Sequence, residues 1–259
     1  MFDVSDRGLL LADGIFTTAL VVRGRVAFRE QHIQRLLTDA QALGISIQRS
    51  RIEEAFDRNL DDTAQAALRV TVTRGGGHRG ISPSPNTEPT VLATCRPIAM
   101  MNRAPPVRLT VSSIRRNETS LTSRHKTLSY LDNILALEAA KIAGYDDSIF
   151  LNTIGNVTCA TTANIIAIFG KKIVVPPIED GALAGITSAF VIRNANKFGL
   201  KAVSRSISHA EIQLADQIFL TNSLRGIVPV AAINNRKFDW PALGGLLGAW
   251  REAVGLGLD

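Results

Sequence analysis

The sequence has little of what builds small secreted or metal-bound folds. Two cysteines, Cys95 and Cys159, occur in 259 residues. They lie far apart in dissimilar contexts and match no metal-ligand spacing, so both read as reduced thiols, with no disulfide framework and no metal site expected. Long apolar runs are missing too: no stretch reaches the ~18 residues of a membrane span. The N-terminal run MFDVSDRGLLLADG carries acids where a signal peptide needs bases, so the cytoplasm is the expected compartment and no membrane partner is expected. Aromatic residues make up 5% of the chain, and the basic residues are scattered. Neither a stacking platform nor a basic stripe for nucleic acid is visible. No internal repeat and no low-complexity tract is found.

What is present is an ordinary globular composition, 46% hydrophobic and 20% charged, enough for one large or two medium domains. The net charge is +6 and the isoelectric point about 9.7. A small anionic substrate or a phosphorylated cofactor accounts for that surplus, because a cleft of positive potential steers either one.

Residues 10–28 read as a hairpin about the turn Arg23-Gly24-Arg25. Residues 31–43 read as a helix with Ile33, Leu36, Leu37, Ala40 and Leu43 on one face, stopped by Gly44, and a second short helix is expected over 51–60. Strands are expected at 67–73 and 90–95, flanking the loop RGGGHRGISPSPNTEP, with a third at 107–114 completing an N-terminal α+β domain, residues 1–114. The polar stretch 115–125 reads as a linker. In residues 126–259, strands are expected at 148–151, 164–169, 172–175, 202–206 and 217–220, with a helix running from GALAGIT to Phe198. Without a regular βαβ rhythm, this half reads as α+β or barrel-like rather than doubly wound.

The residue with the most chemistry in it is Lys126, in SRHKTLSYLDNILALEAAKIAGYDD. Leu131, Leu135, Leu137 and Ile142 recur at helical spacing and Gly144 ends the run, which places Lys126 just outside the start of an amphipathic helix. The positive end of a helix disfavours an ammonium beside it, so this amine is expected to lose its proton readily. Taken alone, it reads first as a solvated loop lysine, and only its surroundings overturn that. Gly185-Ile186-Thr187-Ser188 opens a helix and can hold a phosphate on free N–H groups, or supply a plain N-cap. Thr221-Asn222-Ser223 at a strand end is either a second polar cluster or an ordinary turn. Arg35, on the helix face of Gln31 and Thr38, reads alone as a surface arginine.

The blocks VSDRGLLLADGIFTT, HIQRL, TRGGGHRG, HKTLSYLDNILA, GNVTCATTAN, GIT and FLTNSLRGIVPV occur in an order and spacing that resembles the class IV aminotransferases, the fold type IV pyridoxal-phosphate enzymes. The resemblance covers nearly the whole chain. It implies a smaller N-terminal α/β sandwich, a larger C-terminal barrel-like domain and a homodimer. The paired threonines of DGIFTTA and the run NSLRG look most like the 4-amino-4-deoxychorismate lyase branch, with branched-chain and D-amino-acid transaminases as alternatives of the same fold and a degenerate cofactor-binding paralogue as a third.

The resemblance also implies roles. Lys126 would bond covalently to pyridoxal 5′-phosphate and then move protons on a small anionic amine substrate, and Thr18 would assist proton transfer to the departing group. Arg35, Ile186, Thr187, Asn222 and Ser223 would hold the cofactor, chiefly its phosphate, while Arg74 and Arg79 would receive substrate carboxylates. One position departs from the pattern. Cys159 stands where these enzymes place a glutamate against the pyridine nitrogen, and a neutral thiol stabilises a pyridinium less than a carboxylate does.

Overall fold

A computed structural model describes residues 3–58, 60, 64–77, 80–84, 87–99, 104–239 and 244–257. The chain divides into two compact units, Met1–Met100 with His125–Ser129, and Met101–Arg124 with Tyr130–Asp259.

The first unit contains α1 (Arg7–Leu11), β1 (Gly14–Val22), β2 (Arg25–Val26), α2 (Arg29–Ala42), α3 (Arg49–Asp57), β3 (Gln65–Thr73) and β4 (Thr90–Pro97). Its four-stranded sheet has the order β2-β1-β3-β4, and all three pairings are antiparallel. The expected hairpin forms because Arg23 and Gly24 both take positive φ, 48° and 72°, the backbone of a tight two-residue turn that follows strand twist. Side chains alternate across the pleat. Ile15, Ala19, Val21, Leu68, Val70 and Val72 therefore share a core with Ile33, Leu36, Ile52 and Phe56. The opposite face carries Phe16, Thr18, Arg69 and Thr71.

The second unit contains β5 (Val107–Arg116), α4 (Leu121–Arg124), α5 (Leu131–Ile142), β6 (Asp147–Asn152), β7 (Val157–Ala160), β8 (Asn164–Phe169), β9 (Lys172–Val175), α6 (Ile186–Asn194), β10 (Lys201–Ser204), α7 (His209–Ile212), β11 (Gln217–Asn222), β12 (Gly226–Ile233), β13 (Arg236–Lys237) and α8 (Gly244–Ala253). The path β8-β11-β12-β5-β6-β7 closes on itself because β7 also pairs β8, making a six-stranded barrel that β9, β10 and β13 extend. Closure leaves those six strands no open edge. The barrel is filled by Leu109, Ile149, Leu151, Val157, Ile165, Ala167, Ile218, Leu220, Val228 and Val230.

Three expectations change. The strand at 107–114 does not complete the first domain: as β5 it lies between β12 and β6, parallel to both. The stretch 115–125 is more than a linker, since it holds the end of β5 and α4. The helix after Lys126 begins only at Leu131 and buries Asn133, Ala136 and Ala140, while Leu131, Leu135 and Ile142 stay exposed. Small side chains let α5 pack closely over β5 and β6, so the leucine stripe faces outward. The stop at Gly144 stands, with φ +81°. Among the described residues, no helix is long and apolar enough to cross a membrane.

Candidate active site

In the first unit the site is built on the edge of β1. β2 covers only the far end of that strand, and the backbone of residues 126–128 takes the near end. Phe16 donates its N–H to the Lys126 carbonyl at 2.9 Å, Leu128 donates to the Gly14 carbonyl at 2.9 Å, and Ile15 bridges Thr127. Lys126 therefore sits in an extended segment, five residues before α5. The field of a helix end fades within a turn, so the expected helix-end effect does not act here. Register sets Lys126 opposite Phe16, and its Nζ lies 4.3 Å from the centre of that ring.

The same face carries the guanidinium of Arg69, 3.7 Å from the Phe16 centroid. Its Nε donates to Thr71 Oγ1 at 3.2 Å. Thr18 is the register partner of Arg69 and is half-buried. The structure thus gathers Lys126, Thr18, Phe16 and Arg69 on one face. Two cationic groups on one aromatic ring form a platform that attracts an anion and stays partly shielded from water.

On the helix side, α2 presents His32, Arg35 and Asp39. Arg35 donates through Nη2 to Thr17 Oγ1 at 2.5 Å, and Thr17 Oγ1 is 2.6 Å from His32 Nδ1. Arg35 Nη2 also lies 3.4 Å from His32 Nδ1, and because a guanidinium only donates, Nδ1 is set as an acceptor and the imidazole proton lies on Nε2. His32 is fully buried. Burial pushes its pKa well below the ordinary value near 6.5, and the charges of Arg35 and Lys126 push the same way. The buried Nε2 has no hydrogen-bond partner among the described residues. Asp39, also buried, accepts from His125 Nδ1 at 2.7 Å and from the Lys126 backbone N–H at 3.2 Å.

Arg74 does not join this group. Its Nε donates to Asp13 Oδ2 at 2.8 Å, and Nη1 and Nη2 donate to the carbonyls of Gly44 and Leu43, each at 2.8 Å. All three nitrogens are engaged, Nε by Asp13 and the two Nη groups by carbonyls just beyond α2. Asp13 also accepts from Arg7 at 2.8 Å. Burial alone would raise the Asp13 pKa, but the hydrogen bonds from Arg74 and Arg7 outweigh it and hold the carboxyl below its usual range. Arg79 lies outside the described residues.

The second unit carries the other set on the outer face of the barrel. Cys159 pairs with Asn164 across β7 and β8, and Asn164 pairs with Thr221 across β8 and β11. Their side chains form one row over three strands. The Cys159 thiol packs with Ala136 and Phe150 and receives the Thr158 hydroxyl at 3.4 Å. Asn164 Nδ2 donates to the Leu183 carbonyl at 2.6 Å. Its Oδ1 would lie 1.8 Å from any Cβ at residue 185, so glycine is required there for α6 to start against β8. No side chain caps α6, and its first N–H groups have no partner within the helix. Thr187 donates to the Asn222 carbonyl at 3.0 Å, tying Ile186-Thr187 to the Asn222-Ser223 turn. Asn222 Oδ1 accepts from Leu224 and Arg225 N–H at 3.1 and 2.7 Å.

The fully buried Thr221 Oγ1 has no hydrogen-bond partner among the described residues. An uncapped helix start, an orphaned hydroxyl and a glycine-permitted approach form a donor-rich cradle that fits a phosphorylated cofactor. Among the described residues, no three His, Cys, Asp or Glu side chains gather as a metal-ligand group.

Sequence reasoning missed Thr17, His32, Asp39, Arg69 and Asn164. Three of them left a signal: His32 and Asp39 interrupt the apolar face of α2 seven residues apart, and Arg69 alternates against Leu68 and Val70 in β3.

The model of the family described as amino-transferase class IV matches residues 14–233. A protein of Methanocaldococcus jannaschii, provisionally named a branched-chain-amino-acid aminotransferase, is 32% identical over 90% of this chain and 83% of its own. The aminodeoxychorismate lyase of Bacillus subtilis is 29% identical over 88% of this chain and 80% of its own. A crystal structure from Legionella pneumophila, provisionally named a 4-amino-4-deoxychorismate lyase, superposes with a TM-score of 0.91 at 27% identity, covering 98% of this chain and 95% of that one. The chain belongs to the class IV aminotransferases, a family of pyridoxal-phosphate-dependent enzymes of fold type IV.

Proposed function

We propose that this enzyme is an aminodeoxychorismate lyase, converting 4-amino-4-deoxychorismate to 4-aminobenzoate and pyruvate, a step of folate synthesis. The observation that carries the reading is Cys159. At the barrel position assigned to the pyridine nitrogen, β7 offers a thiol packed against Ala136 and Phe150 in place of a carboxylate. Amino transfer relies on a strong pull of electrons into the cofactor ring, and a thiol supports that pull poorly. Elimination of an enolpyruvyl ether, driven by aromatisation, requires less of it.

Lys126 and Arg35 of the first unit, and Ile186, Thr187, Asn222, Ser223 and Cys159 of the second, would hold pyridoxal phosphate. When bound, the cofactor supplies an electron sink for the carbon bearing the substrate nitrogen. Lys126 Nζ takes the ring proton from that carbon. Arg69, in place of Arg74, holds a substrate carboxylate against the Phe16 face. The Thr18 hydroxyl donates a proton to the departing enolpyruvyl group, which leaves as pyruvate. The ring proton lost and the carbon–oxygen bond broken leave an aromatic amine, so no external oxidant is needed. Leu131, Ile134 and Leu135, 66%, 55% and 51% exposed on the single chain, support a homodimer, which this reading places in the cytoplasm.

A second reading, a branched-chain transaminase, is favoured by the 32% identity to the M. jannaschii protein. The purified chain, supplied with pyridoxal phosphate, separates the two. Equal amounts of pyruvate and 4-aminobenzoate from aminodeoxychorismate support the lyase. Amino transfer from valine or isoleucine to 2-oxoglutarate, with no pyruvate released, overturns it.

A further inference from the structure

Asp39 is a carboxylate in a costly place. It is 3% exposed and lies in the last turn of α2, where the partial negative charge of the helix end opposes an anion. A buried carboxylate persists where its oxygens are matched by donors. Here each oxygen has one, and the two donors belong to consecutive residues far away in sequence: His125 Nδ1 at 2.7 Å on Oδ1 and the backbone N–H of Lys126 at 3.2 Å on Oδ2. The carbonyl of Lys126 is held from the other side by Phe16 N–H at 2.9 Å. Both peptide groups of the lysine are therefore fixed. The pleat then sends the His125 side chain toward α2 and the Lys126 side chain toward the Phe16 ring, 4.3 Å from Nζ.

We propose that Asp39 is a positioning residue for Lys126, with His125 as the second jaw of the clamp. The inference rests on the reading of Lys126 as the reactive amine. The carboxylate touches no reacting atom. It fixes the point and direction from which the four-carbon stem leaves the backbone, and a misplacement of about 1 Å at such a point costs on the order of 100-fold in rate.

The test follows covalent capture of pyridoxal phosphate by the full chain. Protein and cofactor are mixed, reduced with borohydride after set times, and the mass increment on the Lys126 peptide is quantified beside a thermal melt. Wild type should label selectively at Lys126. Asp39→Ala should label roughly 10- to 100-fold more slowly at a temperature where its circular dichroism is native. His125→Asn keeps an N–H donor close to the Nδ1 position and should retain most of the rate, while His125→Ala should lose several-fold. Should Asp39→Ala fail to fold, the two His125 variants decide alone. Labelling of both alanine variants at the wild-type rate, with only their melting points lowered, overturns the clamp and leaves Lys126 as the reactive amine. Equal slowing of His125→Asn and His125→Ala overturns the donor role of His125. A wild-type chain unlabelled at Lys126 refutes the functional reading itself, and the clamp falls with it.

Discussion

The first unit leaves part of a sheet edge open and fills it with residues 126–128, whereas the second closes six strands on themselves and works from the outside of the barrel. Their chemistry differs accordingly. The open edge is flanked by ionisable side chains: Lys126, Arg69, Arg35, His32, Asp39 and His125. The barrel offers backbone N–H groups, small hydroxyls, an amide and a thiol. An open edge can take in a distant segment and orient its side chain through the pleat, which suits a lysine that must aim at a reacting carbon. A closed barrel presents fixed dipoles, which suits an anionic cofactor that must stay in place. On the proposed reading, proton movement belongs to the first unit and cofactor binding mainly to the second.

Removing the one amine should break the first half of that contrast. Lys126→Ala is expected to abolish borohydride-trapped cofactor and to lower turnover by at least about 10³-fold, measured by peptide mass and product release. Retained labelling at another lysine would move the chemistry away from β1. A smaller change should reach the barrel side alone. Gly185→Ala places a Cβ where Asn164 Oδ1 stands, so α6 must shift at a cost of about 1–3 kcal/mol. Cofactor affinity in an equilibrium titration should weaken, while the charged face of the first unit is untouched.

Acid should act on the first unit through His32. Burial lowers its folded-state pKa, so above about pH 6.5 both folded and unfolded states are neutral and stability is full. Below that, the unfolded chain gains a proton that the folded chain refuses, and stability falls by about 1.4 kcal/mol per pH unit until the folded pKa is reached. Denaturant melts between pH 7 and pH 5 should show this slope, and His32→Gln should flatten it.

Legibility in the sequence followed the same division. β8 and β9 were readable to the residue, because short β-branched runs bounded by turns have few other solutions. The hairpin at Arg23-Gly24 was readable from its turn. The blocks holding Lys126, Thr187 and Ser223 were readable as motifs. β12 was obscured by Pro229, which argues against an inner strand, and β7 by its composition, Val-Thr-Cys-Ala, with a single β-branched apolar residue among small ones. The buried face of α5 was misread because Ala136 and Ala140 carry the contact while the leucines do not. Arg74 looked available because nothing local shows that its partners are Asp13, Leu43 and Gly44. The Asp39 contacts join residues more than 80 apart in the chain, so only the fold reveals them.

On the proposed reading Cys159 decides between elimination and amino transfer, and the ratio of the two rates measures it. Both rates should be determined on one preparation, pyruvate from aminodeoxychorismate and amino transfer from a branched-chain amino acid to 2-oxoglutarate, for wild type and for Cys159→Glu. The account predicts that elimination dominates in wild type and that the glutamate shifts the ratio toward transfer by about tenfold or more, the rate equivalent of one pKa unit of added electron pull. An unchanged ratio, or a wild type that transfers amino groups and releases no pyruvate, would contradict it.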